Sequence, residues 1–332
     1  MPDFPLFDAR ERQWLRAPHV DARTLLSLRD WFPVALGHDG IGWRHVPERF
    51  TAPFFSDTLA RQQAHRRLAC HTPLDCLGRI EAGLAPTGFI FHASRCGSTL
   101  LMQLLATLPS CIALSEPPAI DAFLRWHDAA PGDSGGVARL RQLVFALGQR
   151  RSEQERHFFI KLDSWHLPWI GLLRAAFPQT PCWFLYREPE AILASHQRQR
   201  GPQMVPGMTG PAAPGAQALA PGDLDGYCAL VLADFFERAL RHANGLQLLH
   251  YRQLTGGRWE QVLARMGVRC SAPELHAMRE RAGRHAKTAG AAFQGDPPAA
   301  LAAPPSFRQA LAPLYAQLER CRDRQNGNHA TN

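Results

Sequence analysis

The fold is decided by the stretch Phe89-Ile-Phe-His-Ala-Ser-Arg-Cys-Gly-Ser-Thr-Leu-Leu101, which reads as a buried strand, a tight loop and a helix start. Backbone N–H groups in such a loop and in the first helical turn have no partner within the helix, and the helix dipole adds positive potential there. Gly97 lets an anion approach the backbone. The other loop side chains supply hydroxyl donors, a thiol and one cation, namely Ser94, Ser98, Thr99, Cys96 and Arg95. The stretch therefore predicts a binding site for a phosphate-like anion.

Outward from this stretch, short apolar runs alternate with helical patterns, which is typical of a parallel sheet covered by helices. The predicted strands are residues 87–91, 111–114, 157–160, 182–186 and 246–250. The predicted helices are residues 100–108, 168–177 and 224–242, with a last one capped by Ser306. Residues 81–332 are thus expected to form an α/β domain of P-loop type, with its parallel sheet flanked by helices.

Two regions depart from this alternation. Residues 1–80 hold helical pieces and three of the eight tryptophans, so we expect a mostly helical N-terminal extension packed on the main domain. Residues 201–222 contain ten glycines or prolines, a composition that predicts no packed element. A loop of this length is either disordered or a functional lid. Both regions are expected to shape the pocket of a substrate, and neither has a pattern that names it.

Composition excludes several classes of protein. Of the 332 residues 45% are hydrophobic and 20% charged, with no run of about 20 apolar residues and no secretory signal, so we expect a cytoplasmic protein without a membrane partner. The eight cysteines are scattered, unlike those of a zinc site or disulfide framework. The net charge of +8 permits a phosphorylated ligand. Because no arginine run is interleaved with aromatic residues, nucleic acid is not an expected partner.

The loop differs from the Walker A motif of ATP-binding proteins, G-x-x-x-x-G-K-[ST]. His92 stands at the first glycine position and Ser98 at the lysine position. A Mg²⁺-dependent kinase is therefore disfavoured, and the loop suits an anion that needs no metal. A P-loop nucleotide phosphotransferase and a noncatalytic nucleotide-binding module remain the alternatives.

A second motif is Leu185-Tyr-Arg-Glu-Pro-Glu-Ala-Ile-Leu-Ala-Ser195. It places Arg187 at the carboxyl end of a strand and Ser195 two turns into the next helix, with Pro189 at a first-turn position. Ligands of open parallel sheets bind outside the carboxyl ends of the strands, where the first loop also lies. Two anion sites along one edge suit a nucleotide phosphorylated at two places.

Together the two motifs resemble those of sulfotransferases that use 3′-phosphoadenosine 5′-phosphosulfate. The similarity runs from about residue 87 to 290. The loop is similar to the R-x-G-[ST]-[ST] form of bacterial members, and the second stretch to their R-x-P-x-x-x-x-x-S motif. Weaker similarities are Lys161-Leu-Asp, His250-Tyr-Arg-Gln-Leu254, and Arg284-His-Ala-Lys287 followed by Phe293.

The resemblance implies a donor, a product and roles for these residues. Arg95 would lie beside the transferring sulfuryl group, and the loop Ser94–Thr99 would bind the 5′-phosphate through its amides and hydroxyls. Arg187 and Ser195 would bind the 3′-phosphate, with Lys287 as a further contact. The product would be 3′-phosphoadenosine 5′-phosphate, and no metal is expected. The acceptor would be a hydroxyl or amine on a small molecule or peptide.

The base that takes the acceptor's proton stays open among Glu116, Asp163 and His166. Many bacterial relatives place a glutamate where Glu116 stands, and a partly desolvated glutamate has a raised pKa suited to that role. Asp163 stands where small-molecule members carry histidine. Lys161, one of only two lysines, is expected to contact the sulfonate or orient the acceptor. His92 and His196 flank the two motifs without the spacing of a zinc site.

Overall fold

The computed structural model describes residues 9–25, 27–37, 40–79, 83–129, 134–257, 259–284, 286 and 303–330. Two sheets organise them. The strands are β1 (Trp31–Gly37), β2 (Gly40–His45), β3 (Ala69–Thr72), β4 (Gly88–His92), β5 (Cys111–Ser115), β6 (His157–Lys161), β7 (Cys182–Tyr186) and β8 (Leu246–His250). None of the described helices is both long enough and apolar enough to cross a membrane.

The larger sheet has the strand order β5-β6-β4-β7-β8, and every neighbouring pair is parallel. This confirms the α/β prediction, and all five strands lie where the apolar runs placed them. Every residue of β4, β5 and β7 is buried, as expected for strands covered on both faces. The carboxyl ends of the five strands therefore form one edge, where connecting loops can build a site.

Helices cover both faces of this sheet and extend beyond it. They are α1 (Ala9–Arg12), α2 (Phe55–Arg61), α3 (Ser98–Thr107), α4 (Pro118–Ala129), α5 (Gly136–Leu147), α6 (Ile170–Ala176), α7 (Pro189–Arg198), α8 (Leu224–Arg241), α9 (Tyr251–Thr255), α10 (Trp259–Arg265), α11 (Ala272–Ala282) and α12 (Pro305–Ala330). α4 and α5 lie outside the predicted elements. α12 begins at Pro305, so the predicted cap Ser306 lies inside its first turn.

Alternation along the strands divides the interior into two cores. Phe89 and Phe91 of β4 belong to one core, whereas Ile90 belongs to the other. Successive side chains of a strand point to opposite faces, so a short apolar run supplies both layers at once. The smaller core is formed with α3, α10 and α11, and the larger one extends into the N-terminal residues. The edge at which the anion site is predicted is therefore packed from both sides.

Besides short helices and 3₁₀ turns, the N-terminal extension contains a three-stranded sheet that was not predicted from the sequence. β1, β2 and β3 form an antiparallel sheet, and all seven residues of β1 are buried. Its run WFPVALG is apolar throughout, so it lacks the alternation that identifies a strand, and Pro33 within the run argues against one. Trp31 and Trp43 share a core with Phe89 of the main sheet. The predicted domain boundary after residue 80 falls on residues 80–82, outside the described ones.

Residues 201–222 contain packed elements despite their composition, which corrects the second expectation. Short 3₁₀ turns form at Pro202–Met204 and Ala216–Ala218. Met204 is fully buried, and the Ala213 N–H donates to the Tyr227 hydroxyl of α8 at 3.2 Å. Packing of a few side chains thus holds a segment whose glycines and prolines exclude regular helix or strand.

Candidate active site

Four charged or ionisable residues meet at the carboxyl edge of the sheet. His92 ends β4, Lys161 ends β6, Glu116 directly follows β5 and Arg187 directly follows β7. Because β5, β6, β4 and β7 are consecutive neighbours in the sheet, these residues form a row across it. The order of strands in space, which differs from their order in the chain, creates this row.

The loop from β4 to α3, residues 92–99, is here called the anion loop. Ser94, Arg95 and Gly97 have φ of +65°, +47° and +84°, so three of its residues lie in the left-handed region. Such a backbone costs about 1–3 kcal/mol for each non-glycine residue, and it turns successive N–H groups toward one hollow. The N-cap residue of α3 is Gly97, which has no side chain to cap the helix. The Cys96 sulfur accepts the Ser98 N–H, which leaves the first-turn N–H groups of Thr99 and Leu100 for an anion.

His92 fixes the start of the anion loop. Its Nδ1 accepts the Ser94 N–H at 3.1 Å, and its Nε2 lies 3.1 Å from the Leu162 carbonyl oxygen. These contacts assign the proton to Nε2, because Nδ1 must accept. His196, fully buried in α7, accepts the Gly201 N–H at 3.2 Å. Each histidine thus fixes the backbone of a nearby loop by accepting one of its N–H groups.

The side chains of the anion loop take different directions. The buried Cys96 thiol donates to the Leu185 carbonyl at 3.2 Å, and burial raises its pKa to about 11. Cys96 can therefore contribute only its backbone to a ligand site. Ser98 and Thr99 stand in the first turn of α3, each less than 7% exposed. Their hydroxyls lie at the same helix end as the uncapped N–H groups.

Arg95 and Ser94 connect the anion loop to the residues after α7. Arg95 Nη2 donates to the Gln199 carbonyl at 2.6 Å, and Gln203 Nε2 donates to the Ser94 hydroxyl at 2.7 Å. Burial and the nearby Arg198 charge lower the Arg95 pKa from its ordinary value of 12.5. The start of the Gly/Pro-rich segment therefore rests directly on the loop predicted to bind an anion.

Tyr251 joins the anion loop to Arg187. The Arg187 guanidinium lies 4.2 Å from the centre of the Tyr251 ring, a distance typical of a cation–π contact. A Cβ atom placed on Gly97 would lie 2.7 Å from Cδ2 of the same ring. One aromatic side chain therefore touches both predicted phosphate sites. Both sites lie on one side of the sheet edge, as the two motifs predict.

Of the other residues predicted to bind the 3′-phosphate, Ser195 is among the described residues and Lys287 is not. Ser195 lies in the second turn of α7, the helix that begins two residues after Arg187, and is half-buried. Arg187 is 14% exposed and lies 3.8 Å from Glu188. Lys287 and Phe293 lie outside the described residues. Donor contacts by Ser195 and Lys287 stay predictions.

Glu116 and Lys161 form a partly buried ion pair through Glu116 Oε1. Lys161 is 1% exposed, and its ammonium lies 4.8 Å above the Phe54 ring of the N-terminal extension. His92 Nε2 lies 3.7 Å from the same carboxylate oxygen. Within the described residues, Oε2 of Glu116 makes no hydrogen bond. The pair thus holds one carboxylate oxygen, Oε1, in position.

The pKa of Glu116 is lowered in the structure, whereas the sequence predicted a raised pKa. Burial by itself raises the pKa, but the Lys161 ammonium and the His92 ring outweigh burial and hold it below the ordinary value of 4.5. The sequence indicates only desolvation, which raises the Glu116 pKa. The structure adds a cation in direct contact, which lowers it. Glu116 is therefore ionised at neutral pH. Its backbone, with φ of +56°, also lies in the left-handed region.

Asp163 and His166 belong to a network around Asp121 of α4. Asp121 Oδ1 accepts from His166 Nε2 and from Trp165 Nε1, each at 2.9 Å. His166 Nδ1 accepts the Asp163 N–H at 3.3 Å, so both ring nitrogens are occupied, and the ring is 1% exposed. Burial opposes ionisation of Asp121, yet hydrogen bonds from this network lower its pKa below 3.8. His166 thus holds Asp121 and the chain around Asp163 in place.

Asp121, Asp163 and His166 place potential ligand atoms within 4.8 Å of one another. Each of the three is already hydrogen bonded in the network just described, and Arg125 adds a guanidinium 2.7 Å from Asp121 Oδ2. A cation at that point would displace both the guanidinium and the histidine proton. These three residues therefore fit a hydrogen-bonded structural network better than a metal site.

A pocket of about 220 Å³ opens beside Glu116 and is here called the acidic pocket. Its three walls come from four separate segments of the chain. The N-terminal extension supplies one wall, α4 a second, and the residues after β5 and β6 the third. The lining residues are Glu11, Trp14, Ser56, Glu116, Pro118, Asp121, Ala122, Arg125, Asp163 and Trp165.

Several residues of the site were not identified from the sequence. Tyr251 belongs to the weaker similarity His250–Leu254 but was given no role, and its position directly after a predicted strand was the signal that could have assigned one. Asp121 and Gln203 carry no such signal, because one lies inside an unpredicted helix and the other in a segment without pattern. Trp14 and Ser56 reach the acidic pocket only through the packing of the extension.

Comparison with known proteins returns sulfotransferase structures. The chain matches no protein-family model and no curated protein. It is similar to the sulfotransferase domain of the Synechococcus PCC 7002 olefin synthase, with 16% identity, a TM-score of 0.45, and coverage of 72% of this chain and 95% of that one.

Two further solved structures are similar at the same level. The sulfotransferase domain from the curacin biosynthetic pathway has 15% identity and a TM-score of 0.44, covering 74% of this chain and 99% of that chain. A sulfotransferase from Alicyclobacillus acidocaldarius has 16% identity and a TM-score of 0.40, covering 72% and 96%. All three carry the name of the family that the two sequence motifs resemble.

Proposed function

We propose that this protein is a sulfotransferase, which moves a sulfuryl group from 3′-phosphoadenosine 5′-phosphosulfate to an acceptor hydroxyl. The observation that carries this proposal is the contact of one side chain, Tyr251, with both the anion loop and Arg187. A donor with phosphates at two ends of one adenosine needs two anion sites along one edge. The alternative of a Mg²⁺-dependent phosphotransferase lacks the lysine that its loop requires.

The residues present suit a doubly phosphorylated donor. The first-turn N–H groups of α3 and the hydroxyls of Ser98 and Thr99 would hold the 5′-phosphosulfate. Arg187 would hold the 3′-phosphate, with Ser195 and Lys287 as further contacts. The bound donor supplies an activated sulfuryl group whose leaving oxygen belongs to a phosphate. Arg95, anchored to the Gln199 carbonyl, brings positive charge to the rim of the loop.

Glu116 is the base in this proposal. It is ionised at neutral pH, it lines the acidic pocket, and its Oε2 makes no hydrogen bond among the described residues. The acceptor oxygen forms a bond to sulfur while the bond from sulfur to the phosphate oxygen breaks, and the acceptor's proton passes to Glu116. Lys161 holds the carboxylate in position and balances its charge. Positioning and electrostatics therefore carry most of the catalysis.

The same geometry gives the other two candidates positioning roles. Both nitrogens of His166 are hydrogen bonded and its ring is buried, so it has no route to an acceptor proton. Asp163 caps the turn that carries Trp165 and lines the acidic pocket. In this proposal it contacts the acceptor, and His166 orients Asp121 and the pocket wall.

The direct test measures donor binding and transfer separately. Calorimetry with 3′-phosphoadenosine 5′-phosphate should give a dissociation constant in the micromolar range without added metal. Radiolabelled sulfate should then pass from the donor to members of an acceptor panel. Failure of the nucleotide to bind at millimolar concentration, with Mg²⁺-dependent ATP binding instead, would favour the phosphotransferase alternative.

A further inference from the structure

The anion loop holds two residues with side chains in the left-handed backbone region. Ser94 and Arg95 have φ of +65° and +47°. Because a side chain makes this conformation unfavourable, it persists only where surrounding contacts fix it. The contacts of these two residues therefore determine how much of the time the loop keeps the shape that turns its N–H groups toward one hollow.

Both residues are held from outside the loop by the segment that follows α7, residues 197–204, here called the support segment. The Ser94 hydroxyl accepts a hydrogen bond from Gln203 Nε2 at 2.7 Å, and both residues are less than 10% exposed. The Arg95 guanidinium donates to the Gln199 carbonyl at 2.6 Å. The left-handed part of the anion loop thus depends on residues about 100 positions later in the chain.

The support segment is itself fixed to the main domain. Asp225 of α8 accepts from Gln197 Nε2 and from Arg200 Nη2, each at 2.7 Å. At the other end of the segment, Met204 is fully buried and belongs to the larger core. The amide of Gln203 therefore approaches the anion loop from a backbone that is held by α8 and by the core.

The hydrogen bond from Gln203 fixes the Ser94 hydroxyl without using its proton. A hydroxyl that accepts one hydrogen bond can still donate one. The Ser94 proton is directed away from the Gln203 amide, so it can reach a phosphate or sulfonate oxygen bound in the loop. One hydrogen bond therefore orders both the strained backbone of the loop and a hydroxyl of the same site.

We propose that Gln203 is a positioning residue for the 5′ end of the donor. This inference rests on the proposed sulfuryl transfer. Gln203 acts through Ser94 and keeps the anion loop in the conformation that binds the 5′-phosphosulfate. A loop that spends less time in its binding conformation binds the same ligand more weakly in proportion. Gln203 thus strengthens binding of the 5′ group and leaves the contacts of the 3′-phosphate unchanged.

Three nucleotides test this proposal on the variant Gln203→Met, which keeps the length of the side chain and removes its amide. 3′-Phosphoadenosine 5′-phosphate and adenosine 5′-phosphate carry the 5′ group, and adenosine 3′-phosphate lacks it. In calorimetry the variant should bind the first two about three- to tenfold more weakly, the range expected for loss of one hydrogen bond. Its affinity for adenosine 3′-phosphate should stay within about twofold of the parent protein.

A double-mutant cycle shows whether Gln203 acts through the Ser94 hydroxyl. Ser94→Ala removes the acceptor of the hydrogen bond, so Gln203→Met should cost less than about twofold more in that background. Losses that multiply in the double variant would overturn the route through Ser94.

Gln149→Met is the matched control. Gln149 is also a buried glutamine whose amide donates to a backbone carbonyl, that of Trp31, at 2.7 Å. It lies between α5 and β6, at the opposite edge of the sheet from the anion loop. Thermal unfolding should show that this variant is less stable than the parent protein, while all three nucleotide affinities stay within about twofold.

The outcomes separate the positioning role from the proposed function. If Gln203→Met weakens all three nucleotides equally, or none of them, the positioning role is overturned and the sulfotransferase proposal stands. If Gln203→Met does not fold, Gln203→Asn repeats the test, because its shorter side chain keeps the amide but does not reach Ser94. The same selective loss is expected for it, and an equal loss overturns the role. If the parent protein binds none of the nucleotides, both proposals fail.

Discussion

The anion loop and the acidic pocket adjoin at Glu116 but differ in how the chain builds them. The loop is one continuous stretch, residues 92–99, whose donors follow from the local backbone. The pocket takes its lining from residues between 11 and 165 in four separate segments. A site for a common group such as phosphate can be encoded locally. A site that selects one acceptor needs side chains that only the tertiary fold brings together.

The variant Glu116→Gln should have the largest effect, because it acts where the two regions meet. Loss of a general base lowers transfer by about 10²- to 10⁴-fold. Affinity for 3′-phosphoadenosine 5′-phosphate, measured by calorimetry, should change by less than about threefold, since the anion loop is untouched. Transfer within tenfold of the parent protein would exclude Glu116 as the base and move attention to Asp163.

The pH dependence of kcat/KM also tests whether Glu116 is the base. Lys161 and His92 hold the pKa of Glu116 below 4.5, so the carboxylate stays ionised as pH falls to that value. The acid limb of kcat/KM should therefore lie below pH 4.5, not near neutrality. A limb between pH 6 and 7 would show that a different group takes the proton.

The variant Gly97→Ala tests the close packing of the anion loop against Tyr251. The added Cβ meets the ring at 2.7 Å, at a residue whose φ of +84° is already unfavourable for alanine. The free energy of unfolding should fall by about 2–5 kcal/mol, the strain and the overpacking together. Chemical denaturation measures it.

Gly207→Ala separates the two contributions to that loss. Gly207 has a nearly equal φ of +77°, but its Cβ would meet no atom within 4 Å. The free energy of unfolding should therefore fall by the backbone strain alone, about 1–2 kcal/mol. Equal losses for the two variants would mean that Tyr251 does not restrict the loop.

The variant Arg187→Ala tests the second anion site. A charge-assisted hydrogen bond to phosphate is worth about 1.5–3 kcal/mol, so nucleotide affinity should fall about ten- to hundredfold. Adenosine 5′-phosphate, which lacks the 3′-phosphate, should lose much less. Arg320→Ala, an exposed arginine of α12, is the control for net charge. Equal losses for the two nucleotides would place the 3′-phosphate elsewhere.

The variant Asp121→Asn should have a modest effect and tests the wall of the acidic pocket. Three neighbours depend on this carboxylate: His166, Trp165 and Arg125. Loss of the charged hydrogen bonds should lower the free energy of unfolding at pH 7 by about 1–3 kcal/mol.

The pH dependence identifies the charge as the cause. The network lowers the pKa of Asp121 below 3.8, so its stabilisation is complete above that pH and is lost as pH falls toward the lower folded-state pKa. Denaturation from pH 7 to 3 should show the difference from the parent protein shrinking below about pH 4. A difference independent of pH would assign the loss to packing.

The sequence by itself determined the parallel sheet and the anion loop. Apolar runs of five residues bounded by turns have few alternatives, and β7 and β8 lie where the pattern placed them. The hydroxyls, glycine and arginine of the loop are contiguous, so backbone geometry alone brings them together. The position of Arg187 could be predicted for the same reason, because it is a charged residue directly after a buried strand.

Only the tertiary structure decided the rest of the site. The pKa of Glu116 depends on Lys161, which lies 45 residues away in the chain and on the neighbouring strand. β1 could not be recognised from the sequence, because its apolar run does not alternate and contains Pro33. Its sheet belongs to the extension that supplies Trp14 and Ser56 to the acidic pocket. Long-range contacts set charge, burial and pocket shape, because these depend on neighbours in space that no local pattern specifies.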